Sequence, residues 1–300
     1  MSISSIDDLD EPAKLASRNS LDKTGKFVLD EIYNCPDPRP YFTTLRGLDY
    51  LIPQLAKPAF LNVMEAYKET KGVASAKLVD LGCSYGINAA LLKYDMDLQE
   101  LYDLYGTERV EDLDRRELIE RDRKIFNEHT EDNSLEIVGV DAAPKAAAYA
   151  EEVEIIDETV VGDFEQESFS AKQQDCLDDT DLVISTGCVG YISEKTIEKV
   201  VAASHSRQPW MAHYVLRMFS FEPIKDALAE LGYVTAKGTK AVRQRKFASK
   251  LEQEQVLDRL IDMGLDPSGF ETEGWYYADL YVARPVADTA LVPSSDLISH

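Results

Sequence analysis

Small residues alternate with larger ones in the segment 79–88, where three positions allow a tight backbone turn: Gly82, Ser84 and Gly86. A dinucleotide-binding loop would read G-x-G-x-x-G, whereas here a serine replaces the middle glycine and Asn88 follows without a third one. Asp80 precedes the first glycine, and a carboxylate there repels a pyrophosphate but attracts an ammonium or sulfonium group. The segment therefore favours a cationic ligand over a nicotinamide dinucleotide.

Two further carboxylates follow predicted strands. Asp141 comes after the apolar run 135–140, and an acidic residue at that place in a Rossmann-like unit accepts hydrogen bonds from ribose hydroxyls. Asp163 and Phe164 offer a carboxylate for an adenine amino group and an aromatic face for its ring. Each aspartate alone has an ordinary explanation, which is capping of the turn or helix that follows. Their occurrence in order, each at the carboxyl end of a strand, favours a single binding site.

Strands and helices alternate along the chain from residue 77 onward. The predicted strands are 77–81, 135–141, a short one at 154–156 or 159–161, 181–185 and 211–216. The predicted helices begin at 88 and cover 144–152, 194–204 and 222–231. This alternation predicts a parallel sheet with right-handed crossovers. A helix over 252–263 and an edge strand or closing hairpin over 275–283 complete the pattern.

The rest of the chain extends this minimal pattern. Its predicted divisions are an N-terminal tail and helical cap over 1–72, a Rossmann-like domain over 73–285 with an insertion at 94–134, and a C-terminal tail over 286–300. In the cap, leucines at helical spacing over 45–55 predict one helix and residues 59–68 a second. The insertion is interpreted either as a helical lid or wall of the site, or as a solvated excursion with no role in it.

These motifs together resemble the class I S-adenosylmethionine-dependent methyltransferases. The resemblance rests on the glycine segment, Val140-Asp141, Gly162-Asp163-Phe164 and the strand 181–185, and covers about residues 75–220. It implies an α/β fold with a Rossmann-like sheet, helices on both faces and S-adenosyl-L-methionine as cofactor. It implies that the glycine loop passes the methionine part, that Asp141 binds the ribose, and that Asp163 and Phe164 meet the adenine. The cofactor residues expected on this basis are Asp80, Gly82, Cys83, Ser84, Gly86, Asn88, Asp141, Ala142, Asp163, Phe164 and Ser185.

The acceptor side is expected where the fourth and fifth strands end, with Tyr191 and Arg217 there and Tyr41 in the cap as catalytic candidates. Arg217 either forks onto a carboxylate or forms a surface ion pair. Tyr191 either donates a hydrogen bond or packs against the sulfonium, or it is a core residue. Tyr41 either offers a cation–π face or docks the cap on the sheet. Arg46 is expected to reach the cofactor carboxylate.

Two other reactive side chains are interpreted as structural. Cys188 is expected to be a small buried hydrophobe rather than a nucleophile, because no partner histidine is evident. His213 lies inside a predicted strand and is expected to have no catalytic role. The chain has 4 histidines in all, scattered along the sequence, so no metal site is predicted.

Composition excludes several classes of partner. The chain has 300 residues, 44% of them hydrophobic, and 32 basic against 55 acidic side chains, for a formal net charge of -23. A chain so acidic repels nucleic acid and anionic membrane surfaces, and no apolar run reaches the roughly 18 residues of a membrane span. The 4 cysteines form no C-x-x-C pair and are too sparse for a disulfide framework, which favours reduced thiols in the cytoplasm.

The leading hypothesis is a methyltransferase for a small-molecule acceptor, with a role in secondary metabolism. A second hypothesis keeps S-adenosylmethionine but has the enzyme cyclise the cofactor's aminobutyrate chain to an azetidine carboxylate, with release of methylthioadenosine. A third is a non-catalytic subunit that binds the cofactor. The expected partner is a small molecule, without nucleic acid or membrane, and a homodimer is the assembly considered.

Overall fold

The apolar runs of the sequence pair side by side as strands, since parallel strands buried on both faces need helices to cover them. The computed structural model describes Asp22, Lys26 and residues 30–106, 110, 112–129 and 131–298. Its strands are β1 (Ala76–Leu81), β2 (Leu135–Asp141), β3 (Glu158–Val161), β4 (Leu182–Thr186), β5 (Trp210–Leu216), β6 (Tyr233–Lys246) and β7 (Trp275–Pro285). Within the described residues they form one 7-stranded sheet in the order β3-β2-β1-β4-β5-β7-β6.

The chain leaves the centre of this sheet in both directions. From β1 it moves outward to β2 and β3, and then returns to add β4 and β5 on the other side, all in parallel. Because crossovers are right-handed, this reversal places helices on both faces and opens a crevice at the carboxyl ends of β1 and β4. β7 runs antiparallel between β5 and β6. The predicted Rossmann-like α/β fold is therefore confirmed.

Helices cover the sheet and extend beyond it. They are α1 (Asp30–Tyr33), α2 (Arg39–Gly47), α3 (Ile52–Lys71), α4 (Ile87–Lys93), α5 (Leu98–Tyr105), α6 (Arg115–Glu128), α7 (Pro144–Glu152), α8 (Ala171–Leu177), α9 (Glu194–Ala203), α10 (Glu222–Glu230), α11 (Lys250–Asp262) and α12 (Ser294–Ile298). Short 3-10 turns lie at Glu271–Glu273 and Val286–Asp288. None of the helices in the described residues has the length and apolar character that crossing a bilayer requires.

The cap helices differ from their prediction. Of the leucines at helical spacing, Leu45 lies in α2 and Leu55 in α3. Leu48 and Leu51 lie in the link between the helices, where Asp49 has a φ of 50° and interrupts the helical backbone. A proline in the first turn of α3 then starts the second helix. Within α2, Tyr41, Phe42 and Leu45 are buried against the rest of the molecule. The tail expected at residues 1–20 lies outside the described residues.

The insertion forms two described helices, α5 and α6, each begun by a capping box at Asp97 or Asp114. The Tyr105 ring stacks on Phe42 of the cap, with 4.5 Å between the ring centroids. Tyr105 and Tyr149 both donate hydrogen bonds to the buried Asp122 carboxylate. The described part of the insertion is thus a packed wall that joins the cap to the sheet domain.

The carboxyl-terminal part contains a strand that the sequence did not reveal. Residues 275–283 were expected to form an edge strand or closing hairpin. They lie in β7, which is not an edge strand, because the unpredicted strand β6 pairs with its outer side. The short third strand is β3, which agrees with the 159–161 alternative. Part of the expected tail over 286–300 is ordered, since Trp210 donates a 2.7 Å hydrogen bond to the buried Asp288. Residues 299–300 lie outside the described part of the chain.

Candidate functional site

The loop between β1 and α4 is built on left-handed backbone at alternate residues. Gly82, Ser84 and Gly86 have φ values of 75°, 49° and 80°. A Cβ at Gly82 would lie 2.9 Å from the Cys188 Cβ, and one at Gly86 would lie 3.1 Å from a methyl of Ile155. Both glycines are therefore required by close approach as well as by φ. Ser84 tolerates the same region at a cost of about 1–3 kcal/mol.

Asp141 joins this loop to the end of β2. Its Oδ2 accepts a 2.8 Å hydrogen bond from the Ser84 backbone N–H, and its Oδ1 accepts one of 2.8 Å from the Ala143 N–H. Burial raises the pKa of the Asp141 carboxyl, and the backbone donors of Ala143 and Ser84 oppose that shift. Each carboxylate oxygen has two lone pairs, so the group retains capacity to accept hydroxyl donors from a ligand.

Asp163 and Phe164 follow β3 at the same edge of the sheet. The Phe164 ring packs on Phe169 with 4.2 Å between centroids. A Cβ at Gly162 would lie 2.8 Å from the tip of the Phe164 ring, so the glycine makes room for the aromatic side chain. Asp163 Oδ1 accepts a 3.1 Å hydrogen bond from the Glu165 N–H. An aromatic face and a carboxylate are thereby held together at the end of β3.

The residues that follow these strands line one cavity of about 510 Å³. Eight of the expected residues line it: Gly82, Ser84, Asp141, Ala142, Asp163, Phe164, Tyr41 and Tyr191. That volume falls within the range of about 300–1,000 Å³ usual for small-molecule sites. The ends of β1, β2 and β3 thus contribute to a single site.

Several expected cofactor residues lie beneath the cavity instead of lining it. Asp80 is fully buried, and its Oδ1 accepts a 3.0 Å hydrogen bond from Asn88 Nδ2. The same amide donates at 3.3 Å to Thr186 Oγ1, and Thr186 does line the cavity. Burial raises the pKa of Asp80 to about 7. Asp80 and Asn88 therefore support the floor of the site.

Cys83, Gly86 and Ser185 belong to the same supporting layer. The Cys83 side chain fills the space above Gly139, where a Cβ would lie 2.6 Å from its Sγ. Ser185 Oγ lies 2.8 Å from His213 Nδ1, and both residues are fully buried. Burial lowers the pKa of His213 to about 4, so its imidazole is neutral. His213 is interior to the sheet, as expected.

Two arginines that were expected at the site lie away from the cavity. Arg46 pairs with Asp103 at 3.0 Å and donates to the Tyr102 carbonyl, which directs it to the insertion and not to a cofactor carboxylate. Arg217 pairs with the buried Glu271 at 2.6 Å and stacks over Phe270 at 4.2 Å. Arg217 therefore forms an ion pair, but the pair is buried and not at the surface, as the second alternative had expected.

Tyr41 and Tyr191, the two tyrosines expected at the site, line the cavity in different surroundings. Tyr41 is 3% exposed, and burial raises its phenol pKa far above the usual value. Tyr191 is 45% exposed and donates a 2.8 Å hydrogen bond to Asp22 Oδ2, which excludes the core interpretation. Lys26 Nζ lies 4.8 Å from the centre of the Tyr191 ring. Both phenols are suited to donate hydrogen bonds or to present a ring face.

Cys188 lines the cavity, and burial raises the pKa of its thiol to about 12. It is therefore protonated near neutral pH and is not a prepared nucleophile. Among the described residues, no group of three or more His, Cys, Asp or Glu side chains is arranged to hold a metal ion.

Other lining residues were not anticipated. They are Asp22, Lys26, Asn34, Tyr50, Glu165, Ile192, Thr196, Gln244 and Arg245. Burial lowers the pKa of Lys26 to about 8, so its amine can exchange a proton near neutral pH. The cap contacts the site through Tyr85 of the glycine loop. The Tyr85 hydroxyl accepts a 2.9 Å hydrogen bond from the Cys35 N–H. In the sequence, the tyrosine-rich stretch over 33–50 was the feature that could indicate a contribution of the cap to the cavity.

Comparisons with known proteins give likenesses of structure only. No protein-family model matches the chain, and no curated protein matches its sequence. A TehB-like SAM-dependent methyltransferase from Corynebacterium glutamicum is 16% identical, with 72% of this chain and 85% of that chain covered and a TM-score of 0.35. The plantazolicin methyltransferase BpumL, solved with a triazolic desmethylPZN analog and SAH, is 11% identical over 85% and 98%, with a TM-score of 0.40. Coclaurine N-methyltransferase, bound to N-methylheliamine and SAH, is 11% identical over 74% and 69%, with a TM-score of 0.34.

The strand order, with β7 antiparallel between β5 and β6, decides the architecture. The chain has the class I methyltransferase fold. In this fold the cavity lies where ligands of open α/β sheets are bound, outside the carboxyl ends of the strands at the switch point between β1 and β4. Among the described residues that line it, Asp22, Asp141, Asp163 and Glu165 are carboxylates and Lys26 and Arg245 are cations. The site is therefore suited to a ligand with positive charge.

Proposed function

We propose that this protein is an S-adenosylmethionine-dependent methyltransferase that acts on a small molecule. The observation that carries the proposal is the meeting of three strand ends at one cavity. The glycine loop after β1, Asp141 after β2 and Asp163 with Phe164 after β3 line it together. A ligand with a charged amino-acid end, a ribose and an adenine would meet complementary groups in that order along the sheet edge.

The residues present fit S-adenosylmethionine. Asp141 offers carboxylate lone pairs to ribose hydroxyls beside two backbone donors. Asp163 and Phe164 offer an acceptor and a ring face to the adenine. The buried Ser84 Oγ has no hydrogen-bond partner among the described residues, which leaves it available at the methionine end. When bound, the cofactor would supply a methyl group made electrophilic by the sulfonium.

The chain's own contribution would be orientation and charge balance. Tyr41 and Tyr50 are buried and line the cavity, where their rings would attract a cationic group. Holding two reactants in line supplies much of the acceleration in a bimolecular displacement. Where the acceptor has a proton to lose, Lys26 would be the candidate base, since it lines the cavity and burial lowers its pKa to about 8.

Incubation with S-adenosylmethionine in the absence of an acceptor tests the reaction type. Mass spectrometry should find the cofactor bound and intact, and a panel of small acceptors should then yield S-adenosylhomocysteine together with a methylated product. Methylthioadenosine above the spontaneous background would contradict methyl transfer and favour cyclisation of the aminobutyrate chain. Tight binding without turnover of any acceptor would favour a non-catalytic subunit, and the absence of binding would refute the proposal.

We place the protein in the cytoplasm on the state of its thiols. Cys35, Cys83, Cys176 and Cys188 are all free, which suits a reducing compartment. Fractionation of the source cells, with the untagged protein detected by an antibody, would test the cytoplasmic location. Recovery in a secreted or oxidising fraction would contradict it.

A further inference from the structure

The end of β6 presents two consecutive buried side chains to the cavity, which a regular strand does not do. Gln244 is 5% exposed and Arg245 is 3% exposed, and both line the cavity. The pairing of β6 with β7 shifts register between Arg243 and Lys246. Such bulges redirect side chains and are frequent next to active sites. The irregularity therefore turns Gln244 toward the site.

Backbone contacts fix this bulge against the cap. The Gln244 carbonyl accepts a 2.7 Å hydrogen bond from the Leu51 N–H, and the Lys246 N–H donates at 2.8 Å to the Leu48 carbonyl. Tyr50 lies between these two anchors and also lines the cavity. At Gly187, after β4, a Cβ would collide with the Gln244 amide nitrogen. Gln244 is thus held beside Gly187, far along the sheet edge from Asp163.

The side-chain amide oxygen of Gln244 lacks a hydrogen bond among the described residues. Its Oε1 is buried and has no partner there. Arg245 is the opposite case, since its guanidinium makes hydrogen bonds of 3.1 and 2.8 Å to both oxygens of the buried Glu252. Buried polar groups are nearly always satisfied, and an unpaired one at a cavity wall calls for a ligand.

The surroundings define what such a ligand would be. Tyr33, Tyr41 and Tyr50 form an aromatic wall, with 5.5 Å between the first two ring centroids and 6.5 Å between the last two. The carboxylates around the cavity outnumber its cations, and the Arg245 charge is balanced by Glu252. A planar and uncharged molecule suits this half of the cavity better than an anion does.

We propose that Gln244 recognises the methyl acceptor through an amide-type edge. The acceptor would be a planar, uncharged molecule with an N–H donor beside a carbonyl oxygen. Gln244 Nε2 would donate to that carbonyl, and Oε1 would accept from the N–H after rotation about the terminal torsion, which is broad. The identification of the ligand as a methyl acceptor rests on the proposed function, whereas the recognition of the edge does not.

Three nearly isosteric probes test this edge: benzamide, acetophenone and benzoate. Benzamide has the donor and the carbonyl, acetophenone keeps the carbonyl and replaces the amino group by methyl, and benzoate adds negative charge. Ligand-observed NMR titrations with the full chain, with and without saturating S-adenosylhomocysteine, measure each Kd. We expect benzamide to bind roughly 5- to 150-fold more tightly than acetophenone, the usual effect of leaving a buried polar group unpaired. Benzoate should bind no better than acetophenone.

The variant Gln244→Met keeps the shape of the side chain and removes both polar atoms. It should bring the benzamide-to-acetophenone ratio close to one while S-adenosylhomocysteine affinity stays within about two-fold. Gln208→Met is the matched control, because Gln208 is exposed and its Nε2 donates to the Leu231 carbonyl. It should change neither quantity.

The outcomes separate the two proposals. Equal binding of benzamide and acetophenone by the unaltered chain, or an unchanged ratio in Gln244→Met, would overturn the recognition of an amide edge. A large loss of S-adenosylhomocysteine affinity in Gln244→Met would assign Gln244 to the cofactor instead. Failure of the unaltered chain to bind S-adenosylhomocysteine would refute the proposed function, while the probe ratio measured without it would still test Gln244.

Discussion

The backbone N–H of Ser84 donates a 2.8 Å hydrogen bond to Oδ2 of Asp141, across 57 residues of sequence. This bond joins the loop after β1 to the end of β2, and so couples the shape of the glycine loop to the carboxylate beside it. The Ser84 φ of 49° belongs to the same arrangement, because it turns the N–H toward that oxygen. The two residues form one structural unit of the cavity.

Asp141→Ala removes this bond and the carboxylate together. We expect S-adenosylhomocysteine affinity to fall by about 100-fold or more, since two charge-assisted hydrogen bonds to hydroxyls are lost at about 1.5–3 kcal/mol each. Isothermal titration calorimetry measures the change. Asp262→Ala, at the exposed end of α11, is the control and should leave affinity unchanged. An unaltered Kd in Asp141→Ala would remove this residue from the cofactor site.

Ser84 should accept glycine but not a β-branched residue. Ser84→Val is expected to lower the free energy of unfolding by about 1–3 kcal/mol, because valine is strained at positive φ. Ser84→Gly relieves the backbone and should be no less stable than the unaltered chain. Chemical denaturation of both variants provides the comparison, and equal stability of the two would show that the loop does not hold this φ in solution.

The Asp80 carboxyl makes stability depend on pH. Its pKa is raised to about 7 by burial, so between the unfolded value near 4 and pH 7 the folded state binds more protons than the unfolded state. Its contribution to stability is therefore complete at low pH and is lost as pH rises through 7, at about 1.4 kcal/mol per unit of pKa shift. Asp80→Asn cannot ionise and still accepts the Asn88 hydrogen bond.

We expect Asp80→Asn to be more stable than the unaltered chain at pH 8 and to differ little at pH 4.5. Urea denaturation at a series of pH values measures this difference, with the exposed substitution Asp262→Asn as control. A stability difference that does not change with pH would contradict the raised pKa of Asp80.

Arg217→Ala should damage stability and spare the cofactor site. Glu271 is 1% exposed, and burial raises its pKa to about 7 against the opposing effect of Arg217. Without the arginine, an ionised Glu271 is left unpaired, at a cost of about 3 kcal/mol. The cost should appear above pH 7 and shrink below it, where Glu271 takes up a proton. Loss of S-adenosylhomocysteine binding by a folded Arg217→Ala would instead return Arg217 to the site.

The sequence predicted the parts of the fold that local pattern determines. The runs that became β1, β2, β4 and β5 are apolar and continuous, since both faces of these strands are covered. β6 was missed because only its ends are buried and its exposed and half-buried residues follow no strict alternation. Its side chains make contacts with residues far away in the sequence, such as the ion pair of Lys246 with Asp49. A local sequence pattern does not show such contacts.

The same limit explains the outcome at the site. Asp141, Asp163 and Phe164 line the cavity because position after a strand determines where a side chain points in this fold. Arg46 was selected by its charge alone, and its partner Asp103 is 57 residues away in the chain. Gln244 was invisible for a different reason, since a bulge in an unpredicted strand brings it to the cavity.

The hydrogen bond between Leu51 and the Gln244 carbonyl also sets an order of assembly during synthesis. A ribosome releases the glycine loop, Asp141 and Asp163 well before Gln244, so the first half of the cavity can form while the other half is still being made. The cap has to wait for the β6 segment before Leu51 obtains this partner. A nascent chain halted before β6 would therefore carry the glycine loop, Asp141 and Asp163 without the Gln244 side of the cavity.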